Sequence, residues 1–395
     1  MAMECLHRCS FGCTLVQVLV TEYILSTYTP GKHDLALIPE AYSMILALKG
    51  VLQKAGARTV VTVSRYLTDI VRFSEAVQTD EESYIDSLER LSKSFDLVIA
   101  IAPPLQLVQI ADAIHEDKLL GPPRSIMRLL SSKHLYARVL GECGISVPQT
   151  ISCAGRSRCD LSELDGPYVV KPSMLAGGEH VYIAYSRDDV EKLVDVVAMR
   201  DPRGYAVVQR YVEGVHGSIS IVFVRGKPSL FSVNLQLVSV EDNRIVYHGN
   251  VLPLRSEPIV SQAKNVVNKL SKCLGGLSGY IGMDFVWNGE MVVVEVNPRF
   301  TTSGIGIAKL YPKLGEMMLG LADDYGSVYL GYAVSGYAYI VKTGGCTDSS
   351  LLEQCLQGLV VGTATSFEES LARVELLNPR AIFAPTPKEY LRNIC

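Results

Sequence analysis

The chain lacks any block of like charge. Its 37 Lys and Arg stand against 41 Asp and Glu, a formal net charge of −4, so no domain-wide basic field invites nucleic acid and no charged tail is expected. Low-complexity segments and internal repeats are also missing, which removes solenoids and disordered arrays. No G-x-G-x-x-G follows the first strand-like stretch, so a dinucleotide site has no support. The apolar stretch 14–25 is too short to span a bilayer and contains Glu22, and no small-residue cleavage site follows it. It reads as a buried first strand, and a soluble, cytoplasmic protein with no membrane partner is expected.

What is present is a globular composition, 48% hydrophobic and 20% charged over 395 residues, long enough for two or three domains. The ten cysteines are scattered, and in a cytosolic enzyme most read as small core hydrophobes. The run CLHRCSFGC differs: Cys5, Cys9 and Cys13 would share a helical face, with His7 between the first two. That face could hold a metal, but the spacing matches no standard zinc or cluster pattern and reads better as an extension ahead of the first strand.

The first section alternates strands and helices. Residues 15–25, 59–64 and 97–102 are strand-like, and 39–55 and 81–93 have helical periodicity. This βαβ rhythm predicts a small parallel sheet. Gly121-Pro122-Pro123 punctuates the chain. Beyond it come a helix at 132–143, strands at 168–172, 181–185 and 206–211, and a helix at 188–199. Long β runs follow at 218–224, 230–240, 280–286 and 291–296, with a helix at 259–274. A tail after Tyr311 holds helices and one more strand, GYAYIVK. The expected class is α/β joined to α+β, divided at 1–122, 123–206, 207–312 and 313–395.

The most specific motif is GMDFVWNGEMVVVEVNPR. Asn288-Gly289 signals a tight hairpin. Glu295 and Asn297 lie two apart on one strand and share a face, and the hairpin brings Asp284 opposite them. Three oxygen ligands on one face suit Mg²⁺ that also holds phosphate. Carboxylates among such apolar neighbours need a partner, which speaks against a merely solvated strand face. Arg299 has the same parity and can reach a transferred phosphoryl group. In YVVKPSMLAGGEHVYIA, Lys171 ends a buried strand and Gly177-Gly178 sit in the following loop, where backbone N–H groups could approach phosphate; strand–turn–strand with glycines is common, so alone this says little. In VVQRYVEG an apolar strand breaks at Glu213-Gly214 and could offer its backbone to an adenine edge. Arg255, in LPLRSEP, is either a further phosphate or carboxylate contact or an idle surface arginine. Thr301, Thr302 and Ser303 could cradle a carboxylate, or form a plain turn.

Taken in order, Lys133, Lys171 with its glycines, QRYVEG, then Asp284 with Glu295 and Asn297 resemble the ATP-grasp superfamily across about 131–302. The resemblance implies an ATP-grasp fold behind an N-terminal small-sheet domain. It also implies that Lys133 and Lys171 bind the α- and β-phosphates of ATP, with Gly177 and Gly178 in the phosphate loop. Gln209, Arg210 and Val212 would line the adenine pocket. Asp284, Glu295 and Asn297 would hold two Mg²⁺ ions, which Mn²⁺ could replace. Many such enzymes place a ribose-binding carboxylate where His216 stands here, so Glu213 is the candidate to serve instead. Within the superfamily the chain resembles the archaeal tyramine–L-glutamate ligase family of methanofuran biosynthesis, through VTEY, PEAYSMILALKGVLQKAG, FDLVIAIAPP, SSKHLYARVLGECGISVPQT and EVNPRFTTSGIGI. It departs from it at STYTPG, where that family is glycine-rich, and at Leu175, where the phosphate loop has a glycine.

The implied reaction is ATP-dependent joining of a carboxylate to an amine through an acyl phosphate. Arg299 and Arg255 would assist transfer, and Tyr23, Tyr28 and Ile305 are candidates for an apolar slot for an aryl amine. Small-molecule substrates are the expected partners, and a homodimer is compatible. Two alternatives stay open: an ATP-grasp amino-acid ligase using another amine, and a non-catalytic ATP-binding module.

Overall fold

In a computed structural model, residues 15–154, 159–176, 178–321, 326–344 and 356–381 are described. Cys5, His7, Cys9, Cys13 and Gly177 lie outside them.

The N-terminal third is a four-stranded parallel sheet of order β3-β2-β1-β4, from β1 (Gln17–Glu22), β2 (Arg58–Ser64), β3 (Ala76–Thr79) and β4 (Leu97–Ile101). Val18, Leu19 and Val20 of β1 are fully buried, as a strand covered on both faces requires. The strand ends sooner than its apolar run suggests. Glu22 turns the chain by accepting the Leu25 N–H at 2.8 Å, capping the short α1 (Tyr23–Thr27). The helix α2 (Ile38–Lys54) starts with Pro39 in its first turn and packs on β1, β2 and, from the far end of the chain, α9 (Thr302–Leu310). The stretch Leu35–Lys54 is long and apolar enough to cross a membrane, but half of it is buried inside this fold, which suits a core helix.

Glu22 is 3% exposed, and burial pushes its carboxyl up to about 7, against the Leu25 and Ile24 N–H groups, which lower it. A folded-state pKa above the unfolded value favours the fold at low pH, and this contribution is lost as pH rises through about 7. Glu22→Gln keeps the acceptor for Leu25 and removes the ionisation. It is expected to raise the melting temperature at pH 8, by the equivalent of up to about 3 kcal/mol, and to leave it unchanged at pH 4. Equal shifts at both pH values in thermal melts would refute this.

The rest of the chain builds a twelve-stranded, mainly antiparallel sheet. One end holds β5 (Thr150–Ala154), β6 (Tyr168–Pro172), β7 (Tyr182–Ala184) and β8 (Tyr205–Arg210), covered by α7 (Arg187–Arg200). The other holds β9 (Val215–Val224), β10 (Lys227–Glu241), β11 (Arg244–Leu252), β12 (Gly279–Trp287) and β13 (Met291–Asn297), with α8 (Glu257–Cys273) in their core. The pairing Arg244↔Tyr182 joins the two. From the C-terminal part, β14 (Val328–Tyr329) adds to β10, and β15 (Tyr337–Lys342) and β16 (Leu359–Ala364) extend β11.

The strand β11 escapes the sequence pattern for two physical reasons. Asp242 and Asn243 reverse the chain at positive φ, 48° and 62°. Then Gly249, with φ 143°, interrupts the alternation where β15 crosses so closely that a Cβ would stand 1.9 Å from the Ile340 carbonyl oxygen. The cysteine expectation also needs correction. Cys143, just after α6 (Lys133–Glu142), is disulfide-bonded to Cys273 at the end of α8, and Cys153 to Cys159. The first bridge joins two helix ends and the second ties β5 to the loop after it, so these four are not free core thiols.

Candidate functional site

The hairpin β12–β13 sets the centre. Its loop is Asn288–Glu290, with Gly289 at φ 109°, and it places Asp284 directly opposite Glu295 and Gly282 opposite Asn297. The register shifts beside Asp284, leaving Val294 without a cross-strand partner. Its carbonyl therefore faces away from the ladder and takes two donors from elsewhere, Lys171 Nζ at 2.8 Å and the Tyr136 hydroxyl. The bulge thus fastens the lysine of β6 and the α6 helix to the carboxylate strand.

Lys133 opens α6 and is 3% exposed; its Nζ lies 3.2 Å from Glu295 Oε1 and donates to the Leu175 carbonyl. Lys171 is 4% exposed, and burial pushes its amine down to about 8, with Lys133 adding and Glu295 opposing. Burial would raise Glu295, but the two lysines outweigh it and hold the carboxyl below its ordinary range. Asp284 behaves oppositely: burial and the Glu295 charge push it up to about 7, although Gln236 donates to it at 2.9 Å. Two facing carboxylates with an adjacent amide, Asn297, form a hard oxygen set with surplus negative charge on Asp284. A divalent cation fits that set and relieves that surplus. Among the described residues no group of three or more His, Cys, Asp and Glu could hold a metal, so the fit rests on two carboxylates and one amide.

Asp284, Glu295, Asn297, Arg299, Lys171, Gly178, Gln209, Arg210 and Val212 line one cavity. Lys133 stands just behind its wall. Gly178 has φ 77° and sits 3.6 Å, measured from an added Cβ, from the Ile245 carbonyl oxygen. Gln209 donates to the Thr150 hydroxyl at 3.0 Å. Thr301, Thr302 and Ser303 line the cavity too, at the start of α9.

Three placements correct the sequence reading. Arg255 does not reach the cavity. Its guanidinium donates to the carbonyls of Gly331, Val334 and Gly336 at 3.0, 2.7 and 3.1 Å and lies over the Tyr337 ring, so its donors are spent on the backbone around the end of the short helix Leu330–Ala333. Arg255→Met is expected to cost about 2 kcal/mol of stability while leaving nucleotide affinity unchanged. A loss of nucleotide binding without a lowered melting temperature would contradict that placement. Glu213 is exposed and outside the cavity wall, because β8 ends at Arg210 and the chain swings out; His216 is the residue facing in, its imidazole pushed down to about 4 by burial and hence neutral. Tyr23, Tyr28 and Ile305 face the core packed around α2 and do not line the cavity.

Sequence reasoning missed another part of the wall: Glu40 from α2, Gln236 from β10, Tyr247 and Asn250 from β11, and Lys342 from β15. Lys342 Nζ meets Glu40 Oε2 at 2.7 Å, joining segments from opposite ends of the chain. No local pattern announces such a pair.

Residues 130–303 match the model of the ATP-grasp domain. The tyramine–L-glutamate ligase of Methanocaldococcus fervens is 33% identical over 120 residues, 30% of this chain and 38% of that relative's length. The chain therefore spans well under two thirds of that curated relative. Among solved structures, N5-carboxyaminoimidazole synthase from Aspergillus clavatus superposes with a TM-score of 0.68 at 13% identity, covering 93% of this chain and 99% of that one. L-amino acid ligase from Bacillus licheniformis gives a TM-score of 0.60 at 16% identity, with 93% and 98% covered.

Proposed function

From a chain that carries an ATP-grasp domain and fold, we propose an ATP-dependent carboxylate–amine ligase. The observation that carries this reading is the Asp284–Glu295 pair on the wall of one cavity beside two buried lysines, Lys133 and Lys171. Asp284, Glu295 and Asn297 would hold Mg²⁺, which would supply charge neutralisation for phosphoryl transfer. Lys133 and Lys171 hold phosphate oxygens against the carboxylate strand. Gln209, Arg210 and Val212 seat the base, with His216 offering a neutral ring nitrogen to the sugar. A substrate carboxylate oxygen attacks the γ-phosphorus, and the bond to the β–γ bridging oxygen breaks, releasing ADP. An amine then attacks the acyl phosphate, and phosphate leaves as the amide forms. Arg299 faces the charge that moves in the first step. The loop holding Leu175 and Gly178 closes over the cavity and keeps water from the acyl phosphate.

At the finer level the substrates are proposed to be L-glutamate and tyramine, as in the methanofuran pathway, on the strength of the Methanocaldococcus relative; residues 1–122 and 313–395 would then supply substrate-side walls around an ATP-grasp core. A second reading, an amino-acid ligase with a different amine, is favoured by Tyr23, Tyr28 and Ile305 standing away from the cavity. The test is ADP release from MgATP with glutamate, with and without tyramine, then with panels of amines and amino acids, and mass analysis of products. Amine-dependent ADP release with an amide product is expected. ADP release from no pair would overturn the ligase reading, and an amide only with a non-aryl amine would leave the second one.

A further inference from the structure

Part of the cavity wall is built by elements outside residues 130–303 together with β11. Glu40 and Lys342 form an ion pair at 2.7 Å that still opens to the cavity, with side chains 18% and 27% exposed. Glu40 Oε1 accepts the Thr302 hydroxyl. Lys342 also lies 5.0 Å from the Tyr247 ring centre. Asn250 Nδ2 donates to the Tyr247 hydroxyl, while Asn250 Oδ1, on a residue 1% exposed, has no hydrogen-bond partner. Asn250 Oδ1 is shut off from solvent, so the groups this wall offers a ligand are the Glu40 carboxylate and the Lys342 ammonium.

The charges narrow what that ligand can be. A ligand with only a carboxylate would pair with Lys342 and strip water from Glu40; one with only an ammonium would do the reverse. Either leaves a buried charge short of partners. A ligand carrying both charges one carbon apart answers both. Its ammonium sits on Glu40, its carboxylate lies on Lys342, and four charges alternate in sign. Burial alone would raise Glu40, but Lys342 and Thr302 hold its carboxyl below the ordinary range, so it stays ionised for that role.

We propose that Glu40 and Lys342 recognise the α-ammonium and α-carboxylate of a free α-amino acid, placing its side chain toward Arg299 and the carboxylate pair. As the substrate site of a ligase this rests on the reading above, with the amino acid as the carboxylate that is phosphorylated on its side chain.

The test is calorimetric binding to the full chain with MgADP present. The probes are the twenty L-α-amino acids, followed by the des-amino and α-decarboxylated forms of the tightest binder. Each analogue is expected to bind about 10- to 100-fold more weakly than the parent amino acid. Glu40→Gln should remove the preference over the des-amino form, and Lys342→Met the preference over the decarboxylated form, with MgADP affinity unchanged as the check of folding. Lys342→Arg should restore part of the second preference. If neither variant folds, the wild-type comparison of the three ligands decides alone. Absence of binding by any α-amino acid, or analogues that bind as well as the parent, overturns the proposal. Amino-acid binding with this selectivity but no ADP release would instead sink the ligase reading and leave this one standing.

Discussion

Glu295→Ala is expected to lower ADP release by about 10²–10³-fold with the fold retained. The size follows from what Glu295 touches. It is the partner of Lys133 Nζ at 3.2 Å, a charge that lowers the burial cost of Lys171, and the cross-strand neighbour of Asp284. Its loss leaves two buried lysines facing one carboxylate and removes one of the oxygens assigned to the metal. Retention of the fold is expected because Lys171 is also held by the Val294 carbonyl and Lys133 by that of Leu175. Glu295→Gln keeps the shape and should fall nearly as far, since an amide brings no charge to cation or lysine. Steady-state ADP release with Mg²⁺, alongside a thermal melt, decides. A parent-like rate in either variant would show that the carboxylate pair has been given the wrong work.

The parts of the site that the sequence makes legible are local. Asn288-Gly289 fixes a hairpin, a hairpin fixes register, and register puts Asp284 against Glu295. Lys171 is similarly readable, as the end of an apolar strand before glycines. What escapes depends on distant elements meeting. Glu40 sits in the first turn of α2, where an acidic residue is ordinary for a helix N-terminus, and Lys342 near the end of a strand; only the packing of α2, α9 and β15 makes them neighbours. Arg255 fails in the other direction. A basic residue after a proline in an apolar run looks available, but its donors are committed to carbonyls some eighty positions away. The small parallel sheet was readable from its rhythm, whereas β11 was hidden by Gly249, whose reason for being glycine lies in β15.

Arg299→Lys should cut turnover by roughly 10³-fold while the KM for ATP moves only a few-fold. The substitution keeps a positive charge, so a mere electrostatic filler would survive it. Arg299 is half-buried among Glu40, Glu295, Glu22 and Asp284, whose charges oppose the burial that lowers its pKa. Two of its nitrogens reach the Phe300 carbonyl at 3.2 Å and Asn297 Oδ1 at 3.5 Å, which anchors the planar fork at the cavity wall. A lysine ammonium in that space can satisfy the anchors or reach a phosphoryl oxygen, but has no rigid geometry for both. In the proposed reading the phosphates meet Lys133 and Lys171, so ground-state nucleotide binding should change little, and the loss should fall on the step in which charge develops on the bridging oxygen as it leaves with ADP. The measurement is kcat and KM for ATP at saturating carboxylate and amine, with MgADP affinity by calorimetry. A raised KM at unchanged kcat would make Arg299 a holder of the bound nucleotide and take it out of the transfer step.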